Sequence, residues 1–384
     1  MTSDDQAASS ADAPVIALAH DYVTQRGGAE RVALAMTRTF PGAPLHTSLY
    51  DPEGTFPEFA DVDVRAMPLN RWSILRRHHR LALPFLAKAV SGHRVDADVL
   101  VASSSGWAHG IPTTGRKIVY CHAPARWLYQ SDRYAGSAES RGFQSRAVSA
   151  ATALLGPGLR RWDQDAAASA DRYLVNSRVV QSAVRDVYGI DAEVLPPPPA
   201  SFDLSIAAEP VRGIDRPFVL CVARLLPYKN VDLVIEAVAA VPGVDLVVVG
   251  AGPDRARLEE LALSVGGTHL VGRVPDAQLR WLYENAVGLV AASYEDFGLS
   301  PLEAASFGKA TAALRDGGYL DTVDEGVNGV FFDRLEQDAV SAAVESLAAG
   351  DWDAARIRTH ADGFSEARFA ARLRDVVAEE LRRG

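Results

Sequence analysis

The sequence predicts an α/β protein of two doubly wound domains that face each other across a cleft. Short β-branched runs alternate with helical patterns, which is typical of parallel sheets covered by helices. The chain has 384 residues, which exceeds the size of one ordinary core and fits two domains. A stiff proline-rich run at residues 195–199 separates two halves of similar size.

Each half has its own series of predicted elements. In the N-terminal half, strands are expected at 15–19, 98–102, 117–120 and 172–175, with a helix over 29–40. In the C-terminal half, strands are expected at 217–223, 246–249, 270–271 and 287–291. Helices are expected there at 230–241, 255–263 and 276–285, and residues 365–383 form one amphipathic helix. The carboxyl ends of both sheets should border the cleft where ligands bind.

Composition and charge argue against several classes of protein. The formal net charge of −10 disfavours a nucleic-acid partner. Two cysteines, Cys121 and Cys221, lie in apolar stretches, so we expect no disulfide framework and a reducing compartment. Residues 1–13 carry acids and no basic region, so we interpret them as a disordered lead-in and not as a signal peptide. No apolar run approaches the roughly 18 residues that span a bilayer, and we expect a cytoplasmic protein.

Positive charge is concentrated in residues 64–94, a segment without an acid. Its seven basic residues are Arg65, Arg71, Arg76, Arg77, Arg80, Lys88 and Arg94. Apolar residues, among them Trp72 and Phe85, are interleaved with these charges. Such a surface can bind an anionic membrane, which would place the protein peripherally on the inner face of the plasma membrane. A solvated basic face over an ordinary core is the alternative.

Two motifs would bind phosphate at the carboxyl edge of a sheet. Gly27 and Gly28 follow a strand and open a helix, where the backbone can approach a ligand and free amides attract anions. Arg224 and Lys229 follow a buried strand of the second half, and together they would neutralise a diphosphate without a metal ion. The alternatives are a simple βα turn for the glycines and two solvated loop charges for the cations.

A third motif joins two carboxylates through a glycine turn. Glu295 and Glu303 flank the turn at 296–299 and the helix start that follows it. Ser300 and Glu303 fit a capping box with Pro301 in the first helical position, which is a purely structural explanation for Glu303. In the functional interpretation, Glu303 reaches a ribose, Glu295 holds sugar hydroxyls and the amides of the turn approach the phosphates.

A fourth motif surrounds His122, which follows a strand and precedes a proline. The neighbouring side chains that would form a sugar-facing wall are Arg126, Trp127 and Tyr129. A lone histidine is more often structural than catalytic, and both interpretations stay open for His122. Gly250 and Gly252 also open a helix, but Arg255 replaces the third glycine of a dinucleotide fingerprint, so we predict no NAD site.

In combination, these motifs resemble the retaining GT-B glycosyltransferases of family 4. The resemblance rests on the order GGAE, YCHAP, RLLPYKN, GAGPDRARLE, GRVPDAQLRWLYENA and EDFGLSPLEA, which covers most of the chain. The spellings YCHAPARWLY and EDFGLSPLEA are most similar to bacterial GDP-mannose-dependent mannosyltransferases of O-antigen or exopolysaccharide assembly. One departure concerns the acid that often precedes the ED pair in the family, because this chain has Tyr294 there.

The resemblance implies roles for residues that match its motifs. Those implied to be catalytic are His122, Arg224, Lys229 and Glu295. Those implied to bind the donor are Gly27, Gly28, Arg224, Lys229, Gly272, Arg273, Val274, Glu295, Asp296, Phe297, Gly298, Leu299 and Glu303. The acceptor-side residues are Arg126, Trp127 and Tyr129, and neither a metal nor a cofactor is implied.

The resemblance also implies an organisation and a reaction. Residues 14–199 would form an acceptor-side Rossmann-like domain, residues 209–362 a donor-binding one, and residues 363–384 a helix that crosses back. The implied reaction moves a hexose, with mannose from GDP-mannose favoured, onto a glycan or a polyprenyl- or lipid-linked acceptor of surface polysaccharide synthesis. The alternatives are a UDP- or dTDP-sugar donor and a non-catalytic scaffold that binds nucleotide sugars.

Overall fold

The computed structural model describes residues 13–77, 83–129, 143–200, 202 and 204–383. Residues 1–12 of the expected lead-in (residues 1–13) lie outside this range, as do residues 78–82 of the basic segment. Within it, each half of the chain forms one fully parallel sheet with helices, and the chain contains no helix long and apolar enough to cross a membrane in its described part. The predicted class of two doubly wound α/β domains is therefore confirmed.

The N-terminal domain is built on seven described strands in the order β3-β2-β1-β4-β5-β6-β7. These strands are β1 (Ile16–His20), β2 (Leu45–Thr47), β3 (Val64–Ala66), β4 (Val99–Ser104), β5 (Arg116–Cys121), β6 (Arg172–Val175) and β7 (Glu193–Val194). The helices are α1 (Gly28–Thr39), α2 (Ser73–Arg77), α3 (Leu83–Ser91), α4 (Arg126–Tyr129), α5 (Phe143–Ala168) and α6 (Arg178–Tyr188). Strand order reverses between β1 and β4, and this switch point is where doubly wound sheets bind ligands.

The C-terminal domain repeats this plan with six described strands in the order β10-β9-β8-β11-β12-β13. The strands are β8 (Phe218–Val222), β9 (Asp245–Val249), β10 (Thr268–Gly272), β11 (Gly288–Ala291), β12 (Thr311–Leu314) and β13 (Gly329–Phe332). The helices are α7 (Val231–Ala239), α8 (Arg255–Val265), α9 (Asp276–Asn285), α10 (Leu299–Ser306), α11 (Tyr319–Thr322), α12 (Gln337–Ala349), α13 (Ala354–Asp362) and α14 (Glu366–Leu381). Its switch point lies between β8 and β11.

Local chemistry explains where these elements start and stop. The run DLVVV of β9 is buried throughout, as expected for a strand covered on both faces. Helix α6 begins where the Ser177 hydroxyl accepts the Val180 N–H at 3.2 Å, and it ends at Gly189, whose φ of 68° is left-handed. Most predicted strands and helices appear within two residues of their expected bounds. The strands β2, β3, β7, β12 and β13 and the helices α2 to α6 and α11 to α13 have no counterpart among the predicted elements.

The last helix, α14, packs on the N-terminal domain although it follows the C-terminal one along the chain. Phe369, Leu373, Val376 and Val377 are buried in the same core as β1 and α1. Two ion pairs reinforce the contact: Arg38 donates to Glu366 at 2.6 and 2.8 Å, and Arg116 donates to the buried Glu380 at 2.8 Å. The chain therefore passes between the domains twice, and the carboxyl edges of both sheets meet in one region.

Candidate active site

A partly buried ion pair lies at the centre of the region where the two sheet edges meet. Lys229 ends the short turn Pro227–Lys229 after β8, and its Nζ donates to Oε1 of Glu295 beyond β11. The Ser293 hydroxyl donates to the same oxygen at 2.8 Å. Burial opposes ionisation of Glu295, but the adjacent Lys229 and the Ser293 hydrogen bond hold the pKa of the carboxyl below its ordinary value. The lowered pKa favours the carboxylate form of Glu295, and Lys229 beside it is only 8% exposed.

Arg224 lies beside this pair on the solvent side. Its side chain is exposed, and a guanidinium nitrogen donates to the Tyr228 hydroxyl at 3.2 Å. The ammonium group of Lys229 lies 5.0 Å from the centre of the Tyr228 ring. Tyr228 thus contacts both residues that are predicted to bind the diphosphate. The sequence did not single out Tyr228. An anion that approached Arg224 and Lys229 would meet two cations on one edge of the sheet.

The turn between Glu295 and α10 is fixed by close backbone packing. Gly298 has a φ of +88°, and a Cβ on it would lie 2.5 Å from Cδ1 of Tyr319. The Gly318 N–H donates to the carbonyl of Glu295 at 2.8 Å. A Cβ on Gly318 would lie 2.2 Å from Cα of Phe297, so only glycine fits against the turn. The sequence did not identify Gly318, because its partner precedes it by a full strand.

The predicted capping box at the start of α10 is wrong. The helix begins at Leu299 after Gly298, and no side chain caps it. Instead of reaching back to the helix start, Glu303 accepts a 2.7 Å hydrogen bond from the hydroxyl of Tyr283, which is only 1% exposed. One carboxylate oxygen of Glu303 is thus held by the buried Tyr283 hydroxyl. The binding of a ribose by Glu303 stays a prediction.

His122 follows β5 and is held by a chain of polar groups. Its Nε2 lies 2.8 Å from the Ser103 hydroxyl, which lies 3.0 Å from Nδ1 of His20. Nδ1 of His20 also lies 3.2 Å from the Ser103 carbonyl. Burial, followed by the nearby His20 and Arg126, lowers the pKa of His122 to about 3. His122 is therefore a neutral imidazole at physiological pH.

The N-terminal glycine pair lies at the first turn of α1, opposite the C-terminal domain. A Cβ on Gly28 would lie 3.3 Å from Cδ1 of Leu299, so the two domains nearly touch here. A Cβ on Gly27 would lie 2.5 Å from Oε2 of Glu30, whose carboxyl is buried. Burial raises the pKa of Glu30, and His20, the backbone of Glu30 and Gln25 offset only part of that effect.

A second charged pair joins the domains directly. Arg126, in the short helix α4, donates to Oδ2 of Asp296 across the cleft. The Ser177 hydroxyl, at the start of α6, donates to the backbone carbonyl of Asp296. Arg178 donates through its backbone N–H to Oδ2 of Asp321 at 2.9 Å. The turn at 295–298 is therefore held by residues of both domains.

The remaining predicted residues are distributed unevenly around this centre. Gly272 ends the edge strand β10 and Arg273 and Val274 follow it, two strands away from β8. Glu295 instead follows β11, which is adjacent to β8. The Tyr129 hydroxyl points into the domain and donates to Asp163 at 2.9 Å. The side chain of Trp127 lies outside the described residues. Across the described ranges, no group of three or more His, Cys, Asp or Glu residues could hold a metal ion.

A family model and several curated relatives match parts of this chain. Residues 206–362 match the family model "Glycosyl transferases group 1". A GDP-mannose-dependent alpha-(1-6)-phosphatidylinositol monomannoside mannosyltransferase of Mycolicibacterium smegmatis is 33% identical over 153 residues, which cover 35% of this chain and 39% of the relative. A D-inositol 3-phosphate glycosyltransferase of Mycolicibacterium paratuberculosis is 30% identical over 227 residues, which cover 54% of this chain and 51% of the relative. The chain thus spans between about two fifths and one half of the length of these relatives.

Solved structures extend the similarity in fold to nearly the whole chain. Anabaena HepE in complex with UDP-glucose has a TM-score of 0.67 at 17% identity, and the match covers 95% of this chain and 99% of that one. WaaG, a glycosyltransferase involved in lipopolysaccharide biosynthesis, has a TM-score of 0.63 at 16% identity, and the match covers 94% and 99%. At this identity the match establishes the two-domain GT-B fold and nothing about substrates.

Proposed function

We propose that the chain is a nucleotide-sugar-dependent hexosyltransferase, because residues 206–362 match the family model of the group 1 glycosyl transferases. The observation that carries the proposal is the partly buried ion pair of Lys229 and Glu295 at the switch point of the C-terminal sheet. An ion pair that is largely shielded from water is costly to maintain, and a diphosphate and a sugar would use both of its members. Arg224 supplies the second cation for the diphosphate.

We propose transfer with retention of configuration and without a metal ion. The bond between the anomeric carbon and the diphosphate oxygen breaks, and the acceptor oxygen forms a bond on the same face. The acceptor proton passes to the departing phosphate oxygen. Arg224 and Lys229 stabilise the negative charge that builds up there, and one well-placed donor of this kind contributes roughly 2.7–4 kcal/mol. Neutral His122 would orient the sugar beside the anomeric centre without competing for the phosphate.

The favoured donor is GDP-mannose, with UDP- and dTDP-sugars as alternatives. The Mycolicibacterium smegmatis relative is named for GDP-mannose, whereas the Anabaena structure contains UDP-glucose, so both bases occur among similar proteins. Base contacts would come from the backbone at residues 272–274, and the acceptor would be a glycan or a lipid-linked glycan held on the N-terminal side.

The proposal is tested by incubating the protein with GDP-mannose, UDP-glucose and dTDP-glucose, with EDTA and a crude lipid-linked glycan acceptor. We expect release of one nucleoside diphosphate, and about 100-fold slower turnover for Lys229→Met and for Glu295→Gln. Lys309→Met, outside the described pair, serves as the matched control and should keep wild-type turnover. Binding of a nucleotide sugar without turnover would favour the scaffold alternative, and dependence on added Mg²⁺ would overturn the metal-free mechanism.

We further propose that the basic segment binds an anionic membrane surface. Trp72, Ile74 and Phe85 are 62%, 58% and 53% exposed, and the exposed Arg71 and Lys88 lie in the same segment. Because the whole chain carries a net charge of −10, a local basic and apolar surface would be needed to orient it on an anionic bilayer. This surface would bring a lipid-linked acceptor to the N-terminal side of the cleft.

Sedimentation with vesicles separates this proposal from an ordinary solvated face. We expect binding to phosphatidylglycerol vesicles, weaker binding at high salt, and none to phosphatidylcholine vesicles. Trp72→Ser combined with Phe85→Ser should abolish sedimentation. Leu263→Ser removes an apolar side chain that is 86% exposed in the other domain, and it should have no effect. Equal loss in both variants, or no sedimentation of the wild type, would refute the proposal.

A further inference from the structure

The short helix α4 places Arg126 at the cleft, and its orientation depends on contacts with other elements. It has four residues, and its internal hydrogen bonds run from the Leu128 and Tyr129 N–H groups to the carbonyl of Ala125 at 2.8 and 3.0 Å. A single helical turn is unstable in isolation, so its orientation depends on contacts with other elements. Two of these come from α5, where Arg160 donates to the Leu128 carbonyl at 3.1 Å and Asp163 accepts from Tyr129 at 2.9 Å.

Asp163 is a buried carboxylate with several polar neighbours. It is 1% exposed, and its Oδ2 also accepts from the Tyr188 hydroxyl at 2.8 Å. Nε2 of His109 lies 3.2 Å from Oδ1, which is close enough for an ion pair but not aligned as a hydrogen bond. A carboxylate removed from water is costly unless its partners are fixed. Asp163 therefore restrains the two hydroxyls that point at it, and one of them belongs to α4.

The N-terminal end of α4 lies at the candidate active site. Arg126 pairs with Asp296 of the opposite domain, next to Glu295. The charge of Arg126 contributes to the lowered pKa of Glu295 and to that of His122, so its position affects both groups. Movement of α4 would carry this charge away from all three residues at once. Tyr129 and Arg126 lie three residues apart, so a shift at one end of the turn moves the other.

We propose that Asp163 is a positioning residue for the transfer reaction: through the Tyr129 hydroxyl it fixes α4 so that Arg126 meets Asp296 across the cleft. The proposal rests on the proposed function, because it assigns a consequence for catalysis to a group that does not touch substrate. Asp163 acts at a distance from the cleft, and neither the family resemblance nor the motif order pointed to it. Its effect is expected to be larger on turnover than on the donor KM, because Arg126 acts on Glu295 and His122, whereas the diphosphate would be held by Arg224 and Lys229.

A matched pair of variants tests this role. Tyr129→Phe and Tyr188→Phe each remove one hydrogen bond to the same Asp163 oxygen, but only Tyr129 lies on α4. Both should lower thermal stability by a similar amount. We expect Tyr129→Phe to lower kcat about tenfold with less than a twofold change in the donor KM, whereas Tyr188→Phe keeps kcat within about twofold. Equal losses of kcat in the two variants, or no loss in either, would overturn the proposal.

Hydrogen exchange tests the same step without any substrate. The Leu128 and Tyr129 amides should exchange faster in Tyr129→Phe than in wild type, and Tyr188→Phe should leave them unchanged. Unchanged exchange in Tyr129→Phe would overturn the positioning role. If the wild type proves inactive with every donor while the exchange result holds, the proposed function fails and the structural coupling of Asp163 to α4 stands.

Discussion

At the scale of single residues, Lys229 and Glu295 are coupled, so their substitutions should not be additive. Lys229→Met leaves the partly buried Glu295 carboxylate without its cation, and breaking such a pair should lower the free energy of unfolding by up to about 3 kcal/mol. Adding Glu295→Gln removes the uncompensated charge and should restore most of that loss. Urea unfolding of the two single variants and the double variant measures the coupling. Additive losses of unfolding free energy would show that Lys229 and Glu295 are not energetically coupled.

Sequence reasoning reached the individual members of this centre but not their partners. Lys229 and Glu295 were singled out separately because each follows a buried strand, and parallel strands end on one edge. Their direct contact depends on β8 and β11 being neighbours, which hydrophobic patterning does not reveal. Ser103 and Asp163 were missed for a related reason. Each is an ordinary polar residue in the sequence, and its partners lie 19 or more residues away.

At the scale of elements, the turn before α10 depends on a glycine for two separate reasons. Gly298→Ala would place a methyl group in a left-handed conformation and within 2.5 Å of the Tyr319 ring. Gly326 has a similar φ of +77° but nothing within 4 Å of its Cβ position, so Gly326→Ala isolates the backbone term. We expect Gly298→Ala to lower the free energy of unfolding by roughly 1–3 kcal/mol more than Gly326→Ala. Equal losses in denaturant titrations would contradict the packing argument.

The contact between β2 and the segment after α3 should make the N-terminal domain sensitive to acid. Nδ1 of His46 lies 2.9 Å from Nε2 of His93, and a hydrogen bond between them needs one unprotonated nitrogen. Burial, then His93 and Arg65, lowers the pKa of His46 from 6.5 to about 4, while Asp63 opposes this. Between these values the unfolded chain binds a proton that the folded chain does not, so stability falls as pH falls. The slope is at most about 1.4 kcal/mol per pH unit.

Removing the histidine should remove this slope. His46→Gln is expected to reduce the pH dependence of the unfolding free energy between pH 6.5 and 4, measured by denaturant titration at several pH values. Relative to wild type, the variant should become more stable as the pH falls, because glutamine binds no proton in either the folded or the unfolded chain. A wild-type slope that persists in His46→Gln would place the acid sensitivity elsewhere.

Length alone did not make an element predictable, because the 26-residue helix α5, which contains Pro157, has no counterpart among the predicted helices. The helix at 276–285 and the strand at 172–175 match their expected bounds, because each has a clear apolar period between polar ends. The edge strands β3 and β7 contain two or three residues each and show no period at all. The box at Ser300 failed because Gly298 and the Tyr283 contact, both tertiary features, determine how α10 begins.

At the scale of the whole molecule, stability of the N-terminal domain should depend on residues encoded at the far end of the chain. Phe369 of α14 is 2% exposed in the N-terminal core, and Phe332 is 3% exposed in the C-terminal core. Each Phe→Ala change should destabilise its own domain by about 3–5 kcal/mol. Hydrogen exchange should report faster opening of β1 and β4 in Phe369→Ala, and of β8 and β11 in Phe332→Ala. The reverse pattern would refute the crossing arrangement.

The arrangement of both domains around one charged pair is tested most directly by calorimetric titration with GDP, UDP, dTDP and ADP in EDTA. If the chain binds a donor diphosphate through Arg224 and Lys229, one nucleotide will bind tightly to the wild type, and at least about tenfold more weakly to Lys229→Met. Tight binding of GDP would support GDP-mannose as the donor. Tight binding of UDP or dTDP would instead favour a UDP- or dTDP-sugar. Binding of none of the four, or undiminished binding by Lys229→Met, would contradict the proposed donor site.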